Sequence, residues 1–283
     1  YSTLASQRNY FGFLAADRLG IRYPLPDGPV AAPEPTDKAV AALEARPWLA
    51  LAFALQRLDR PADARRLFGH ALDEVPEAQL PALAWLADRA GWADRASVVL
   101  ARMQAFHDPE WLAARYAMPY RALVEAQATR QAIPPAWVYA VMRRESLFMR
   151  DIGSGVGASG LMQLMPATGR WINRQAGLGL APLRLTDPGT NIALGAAYLA
   201  HMAERFGDRY PLAIAAYNAG PGRARDWLPE VPLPGDVWVD TILFDETRAY
   251  AHAVLAGMVI YHWRLTGSPQ RLGTLLPVIP SAE

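Results

Sequence analysis

Apolar positions recur at helical spacing over most of the chain, and little of it alternates as a half-buried strand requires. Tyr1 to Leu19 reads as one helix, with Leu4, Phe11, Leu14, Ala15 and Arg18 near helical spacing and Gly20 as its stop. Residues 21–36 carry five prolines and one glycine and read as an extended connector. From Asp37 to about Phe106 four or five helices rich in Ala, Leu and Arg are separated by breaks at Asp59-Arg60-Pro61, Val75-Pro76 and Ala90-Gly91, which predicts an array of helical hairpins. Ala62-Asp63-Ala64-Arg65 and Ala93-Asp94-Arg95-Ala96 recur 31 residues apart, near the period of tetratricopeptide-like units, although two amphipathic helices would match as well by chance.

A second pattern starts near Met118-Pro119, richer in Gly, Asn, Gln and aromatic residues gathered at helix ends, as suits function carried on loops and helix termini. Helices are expected at about 120–131, 135–148, 166–174, 188–206, 211–218, 222–228 and 245–265. The expected fold class is all-α, a helical-hairpin scaffold followed by a mostly α domain.

Composition narrows the reading. With 283 residues, 52% hydrophobic and 19% charged, the chain is long and apolar enough for two packed domains. Its formal net charge of +1 is spread without basic tracts, so nucleic acid is not expected as a partner. There are no cysteines, which excludes disulfides, thiolate nucleophiles and Cys-based metal sites. No run of about 18 apolar residues predicts a membrane span. The chain opens on Tyr1, not Met, and enters a helix directly, which reads as a processed or partial chain.

One carboxylate stands out. Pro134-Pro135 opens a helix whose apolar stripe runs through Val138, Val141 and Met142, and Glu145 follows these by seven, four and three residues, so it continues the buried face. Burial disfavours the charged form and raises the pKa, the property a general acid needs near neutral pH. The alternative is a structural glutamate neutralised by Arg143 or Arg144. The residues from Asp151 to Thr168 then place four glycines within positions 153–160, which lets backbone pass close to the helix end or to a bound sugar. Ser154 and Gln163 flank this stretch. It lacks the lysine and the preceding strand of a phosphate-binding loop.

Glu145-Ser146-x-Phe148, followed by Ser154-x-x-Gly157-Ala158-x-Gly160-Leu161-Met162-Gln163-x-Met165-Pro166, resembles the catalytic motif of soluble lytic murein transglycosylases, whose domain is similar to goose-type lysozyme. Asp187-Pro188 with Asn191-Ile192, Gly195 and Tyr198-Leu199, then Leu212 through Gly222, resemble the second and third blocks of that family, and Phe244-x-Glu246-Thr247-Arg248-x-Tyr250 resembles the fourth. Phe11 to Gly20 looks like the segment that joins the family's superhelical domain to its linker domain. The resemblance implies three regions: 1–36 as the end of a superhelical region and a Pro-rich connector, 37–115 as a helical linker domain, and 116–283 as a lysozyme-like catalytic domain. Asp240 stands where the family commonly has glutamate, and Leu243 where it commonly has proline.

The resemblance further implies a cut between N-acetylmuramic acid and N-acetylglucosamine in peptidoglycan. Glu145 acts as acid and then as base, and the product is a 1,6-anhydromuramyl end. By the same resemblance, Tyr217 holds the Glu145 carboxyl or the reacting sugar. Ser154 and Gln163 bind sugar groups near the cut, with loop capping as their alternative. Met165 forms a groove wall, Asn218 lies in a binding turn, and Glu246 and Tyr250 contact substrate from one helix face. Glycan strands are the expected partner and the periplasm the expected location. A hydrolytic muramidase would need a second carboxylate, with Asp151 and Asp187 nearest in sequence, and a silent glycan-binding module is the remaining alternative. Histidines at 70, 107, 201, 252 and 262 form no ligand-spaced pair, so neither metal nor cofactor is expected.

Overall fold

The computed structural model describes residues 1–28, 30–105 and 108–282. His107 and the expected helix end at Phe106 lie outside them. The described residues form helices, with isolated bridges at Gly153–Ser159, Ser159–Leu164 and Leu233–Ile279 and no strand. Two compact units emerge, and neither is contiguous in sequence: one gathers residues 1–27, 120–146 and 152–283, the other residues 28–119 and 147–151.

The second of these units is built from α3 (Asp37–Glu44), α4 (Pro47–Arg57), α5 (Pro61–Asp73), α6 (Leu80–Arg89), α7 (Ala93–Arg102) and α8 (Leu112–Arg115). The helices stop where the sequence predicts. Asp59 and Gly91 turn the chain at φ 60° and 67°, and Pro47 and Pro61 open helices at positions whose missing N–H costs nothing. Leu43, Phe68, Leu83, Trp92 and Leu100 fill a continuous core, with Phe68 and Trp92 edge to face at 5.1 Å. Both repeats of the Ala-Asp-Arg pattern fall in the first turns of α5 and α7. Residues 147–151 belong here because Arg65 donates two hydrogen bonds to the Asp151 carboxylate, at 2.8 and 2.6 Å, and Arg150 pairs with Asp59.

The other unit begins with a difference from the expected single helix. The chain forms α1 (Ser2–Ala5) and α2 (Tyr10–Leu19), broken where Asn9 turns out of the helix and its side chain accepts the Gly12 N–H at 2.8 Å. The buried face is also displaced: Tyr10, Phe13, Ala15 and Ala16 point inward, while Leu4 and Phe11 are exposed. Gly20 ends α2 in the left-handed conformation, φ 66°, as expected. This segment is bound into its unit by Tyr23, whose hydroxyl donates to Asp17 and accepts the Leu272 N–H, and by the Trp263 indole, which donates to the Pro26 carbonyl at 3.1 Å.

The rest of that unit comprises α9 (Arg121–Arg130), α10 (Pro135–Ser146), α11 (Pro166–Gln175), α12 (Pro188–Arg205), α13 (Tyr210–Ala219), α14 (Pro221–Asp226), α15 (Gly235–Thr241) and α16 (Asp245–Thr266). Sequence patterning anticipates all but α15. That short helix starts at Gly235, where a Cβ would crowd the Leu276 and Pro277 backbone, and is anchored by buried Trp238, whose indole donates to the Trp227 carbonyl. α10 is packed chiefly along α16 and also meets α9 and α12. Trp137, Val138, Tyr139, Val141 and Met142 are all fully buried, so α10 is enclosed on every side and not along one stripe as its spacing suggests.

Candidate active site

Glu145 sits one residue before the end of this enclosed helix, half-buried. The long α16 runs beside α10 and brings Tyr250 to it, whose hydroxyl donates to Glu145 Oε1 at 2.7 Å. Burial pushes the Glu145 carboxyl up to about 7, against the pull of the Tyr250 hydrogen bond and the Arg144 charge, and nearby Glu246 pushes it further up. The Arg144 guanidinium lies over the Tyr250 ring, 5.8 Å from its centre, and acts on Glu145 through charge. The carboxyl is therefore poised to give or take a proton near neutral pH.

Directly after the strap at 147–151 the chain forms a tight loop whose backbone is held by a few polar side chains. Ser146 is buried, with its hydroxyl 2.7 Å from the Leu161 carbonyl and 3.1 Å from that of Met142, so it ties the end of α10 to the loop. Asn191, fully buried on α12, does more: its Oδ1 accepts the Met162 N–H at 2.8 Å, and its Nδ2 donates to the carbonyls of Leu185 and Ser159 at 2.8 and 3.0 Å. Gly160 lies at φ 81°, and a Cβ there would overlap the Leu185 carbonyl oxygen and the Asn191 amide. A Cβ at Gly195 would likewise strike the Met162 side chain.

Among the residues the sequence singles out, Gln163 lies at φ 44° and donates from Nε2 to the carbonyls of Ile152 and Gly160 at 3.1 and 2.8 Å. Ser154 Oγ accepts the Ala158 N–H at 3.0 Å. Both side chains thus make the loop-capping contacts that were their alternative reading. Met165 is 41% exposed at the start of α11.

Tyr217, near the end of α13, donates its hydroxyl to the Met162 carbonyl at 2.8 Å, so the phenol on the Glu145 carboxyl is Tyr250 and not Tyr217. The reason is helix packing: α16 presents Tyr250 alongside α10, while Tyr217 answers a loop carbonyl. Burial first, and then the Glu145 charge, hold both phenols well above their ordinary range, so they stay donors. Asn218 Oδ1 accepts from the Thr247 hydroxyl at 2.7 Å, joining the end of α13 to the start of α16. Glu246 is exposed in the first turn of α16 and reaches Glu145 only through charge.

Sequence reasoning missed Asn191 and Ser146 as the side chains that shape the loop. A signal was present in α12, where an amide stands among Ile192, Leu194, Gly195 and Leu199, all on a helix with almost no exposed surface in that stretch. Of the two carboxylates considered for activating water, Asp187 caps α12 by accepting the Thr190 N–H at 2.8 Å. Burial would raise Asp151, but the Arg65 hydrogen bonds and charge outweigh it and bring this carboxyl below its usual range. Asp240 pairs with His252 at 2.8 Å, and Leu243 is 74% exposed. No group of three or more His, Cys, Asp or Glu side chains among the described residues is arranged to hold a metal ion, and no helix among them is long and apolar enough to cross a membrane.

Two family models match the chain: the Soluble lytic murein transglycosylase L domain over residues 42–108 and the Transglycosylase SLT domain over residues 122–233. The chain is 31% identical over 272 residues to the soluble lytic murein transglycosylase of Escherichia coli K12, covering 94% of this chain and 41% of that protein. Among solved structures it resembles an inactive mutant of the lytic transglycosylase Slt from Pseudomonas aeruginosa, with TM-score 0.85, 38% identity, and coverage of 96% of this chain and 44% of that one. It also resembles the 70-kDa soluble lytic transglycosylase solved in complex with bulgecin A, with TM-score 0.84, 28% identity and coverage of 95% and 43%. The chain thus spans less than half the length of these relatives.

Proposed function

Because the chain carries the L domain and the SLT domain of soluble lytic murein transglycosylases in that order, we propose that it cuts peptidoglycan glycan strands without consuming water. The observation that carries this reading is the Glu145 carboxyl, pushed to about 7 and held by a neutral phenol. In the first step Glu145 donates its proton to the glycosidic oxygen between N-acetylmuramic acid and N-acetylglucosamine as the bond to the muramyl C1 breaks. The resulting carboxylate then takes the proton of the muramyl C6 hydroxyl while that oxygen bonds to C1. The proton count closes, Glu145 returns to its acid form, and the strand ends in a 1,6-anhydromuramyl residue.

Glycosidases that use water place two carboxylates about the bond. Here the attacking hydroxyl belongs to the substrate, and an intramolecular nucleophile has an effective concentration on the order of 10⁵ M or more in good geometry, so one carboxylate suffices. Asp151 and Asp187, each occupied elsewhere, support this reading over a hydrolytic one. Tyr250 keeps Glu145 oriented and stabilises the carboxylate between the two steps. Tyr217 and Gln163 hold the loop backbone against which the sugar lies, and Ser154, Met165, Asn218 and Glu246 contact it. A periplasmic location follows from the substrate.

The test is mass spectrometry of products from purified sacculi treated with the wild-type chain and with Glu145→Gln. Anhydromuropeptides from the wild type, with a loss of about 10³-fold or more in the variant, are expected. Reducing ends would make the protein a lysozyme, and no release by the wild type would refute catalysis by this chain.

A further inference from the structure

The cleavage proposed above uses the Glu145 carboxyl and the Tyr250 hydroxyl and leaves one charged neighbour of both without a role. Arg144 precedes Glu145 on α10 and is exposed. Successive helical residues point about 100° apart, so the two side chains do not face one another, and Arg144 has no ion pair among the described residues. Its guanidinium lies instead over the ring of Tyr250, 5.8 Å from the centre, and that phenol is itself buried. The same phenol donates to Glu145 Oε1 at 2.7 Å, so guanidinium, ring, hydroxyl and carboxyl form one chain of contacts. A cation in the last turn of α10 is favoured by the helix dipole, and Arg143 in the same turn meets that need equally. The dipole does not select the face of Tyr250. Facing the carboxyl among the described residues are Arg144 on its own helix, Tyr250 and Glu246 on α16, and Tyr217 on α13. Arg144 is the cation of this set, and at the carboxyl its charge outweighs that of Glu246.

We propose that Arg144 is a positioning residue for the cleavage: its guanidinium holds the Tyr250 ring so that the hydroxyl stays aimed at Glu145, and its charge steadies the carboxylate that exists between the two proton transfers. A cation is attracted to the negative face of the ring, which fixes the plane of the phenol. The same charge draws electron density from the phenol oxygen and makes its hydroxyl a stronger donor. A stronger hydrogen bond favours the charged form of Glu145, which the reaction needs only briefly, and burial restores the acid form afterwards. Arg144 makes and breaks no bond and touches no reacting atom, so the proton count of the reaction is unchanged. This inference rests on the function proposed above.

The test compares Arg144→Gln and Arg144→Lys in the full chain. The readouts are the pH dependence of kcat and KM for anhydromuropeptide release from sacculi, and a carbon NMR titration of the Glu145 carboxyl without substrate. Because the position is exposed, both variants are expected to unfold at the wild-type urea midpoint. Arg144→Gln is expected to lower kcat by about threefold, to leave KM unchanged, and to move both the alkaline limb and the Glu145 titration to higher pH. Arg144→Lys, which keeps the charge, is expected to restore both titrations and most of the rate. High salt should raise the wild-type titration, since an exposed cation is screened, and should lower that of Arg144→Gln, where the Glu246 charge is left to screen. An unmoved titration in Arg144→Gln overturns the proposal. So does a rise in KM at constant kcat, which would make Arg144 a substrate contact, and so do equal losses in the two variants, which would leave charge without a part. A wild type that releases no anhydromuropeptides refutes the cleavage reading, and the NMR titration, which needs no turnover, then decides by itself whether Arg144 acts on the Tyr250 and Glu145 pair.

Discussion

Each of the two units buries a carboxylate near a helix terminus, and each answers the burial differently. Asp94, 5% exposed in the first turn of α7, accepts a hydrogen bond from Arg95 at 2.9 Å and lies within electrostatic reach of Arg65. Glu145, near the end of α10, receives its hydrogen bond from the neutral hydroxyl of Tyr250. Burial raises both groups above their ordinary values. A buried carboxylate answered by guanidinium groups is tied to its partners' charges and holds a helical array together. One answered by a phenol can exchange its proton without stranding a partner's charge. Burial alone marks neither group as reactive, and the neighbour decides.

The same contrast holds for backbone, and it predicts the largest effects. Gly160 and Gly91 both turn the chain through the left-handed region, at φ 81° and 67°, but only Gly160 has neighbours where a Cβ would sit. Gly160→Ala is expected to cost roughly 4 kcal/mol, since overlap with a carbonyl and a buried amide adds to the conformational strain. Gly91→Ala should cost about 1 kcal/mol, for conformation alone. Asn191→Ala comes next at roughly 3 kcal/mol, because it strands the Met162 N–H and two carbonyls inside the protein. Urea denaturation of the three variants checks the ranking. Equal costs for the two glycines would erase the distinction between a loop shaped by close packing and a helix punctuated by a turn.

That distinction also governs what the chain discloses before its structure is known. Helix ends in the hairpin array lie at prolines, at Gly91 and at Asp59, all local signals, and α12 and α16 are framed by Asp187-Pro188 and by Gly267. Glu145 is legible because it continues the apolar face of Val138, Val141 and Met142. Tyr250 as its partner is not, since it depends on how α16 lies along α10, 105 residues away in sequence. The break between α1 and α2 is not encoded in the periodicity, since Asn9 fits a helical register and acts as a cap only through its bond to the Gly12 N–H. α15 escaped because its anchor, Trp238, is a tertiary contact. The membership of residues 147–151 in the hairpin unit follows from Arg65 and Asp59, ion pairs that periodicity does not encode.

The contrast between the two carboxylates is sharpened by stability against pH. Glu145 binds its proton more tightly in the folded chain, with a value of about 7 against an ordinary 4.5, so its contribution is fully present below pH 4.5 and is lost as pH rises through 7. Glu145→Gln removes that loss. The variant should match the wild type at pH 4 and exceed it at pH 8 by on the order of 2 kcal/mol in urea midpoints, although it is inactive. A constant difference across that range would mean that Glu145 is not held protonated by burial. Tyr250→Phe acts on the same group in the other direction. It removes a hydrogen bond that lowers the Glu145 pKa, so the alkaline fall of kcat/KM should move to higher pH, with a rate loss of about tenfold at the optimum. An unmoved limb would show that the phenol only fills space.

The smallest effect is expected at the other carboxylate, and it bears most directly on the comparison. Asp94→Asn keeps the shape of the side chain and one acceptor for Arg95, whose own side chain is 15% exposed and can hydrate the charge left over. The charged form no longer has to be desolvated, and the attraction to Arg95 and Arg65 is lost with it, so the two changes offset to within about 1 kcal/mol. Because the Asp94 pKa is raised in the folded chain, its contribution falls as pH rises from the ordinary value of 3.8, and the variant should lack that slope. Release of anhydromuropeptides should be unchanged. If Asp94→Asn instead lost turnover as Glu145→Gln does, pairing with arginine would no longer distinguish a structural carboxylate from a reactive one.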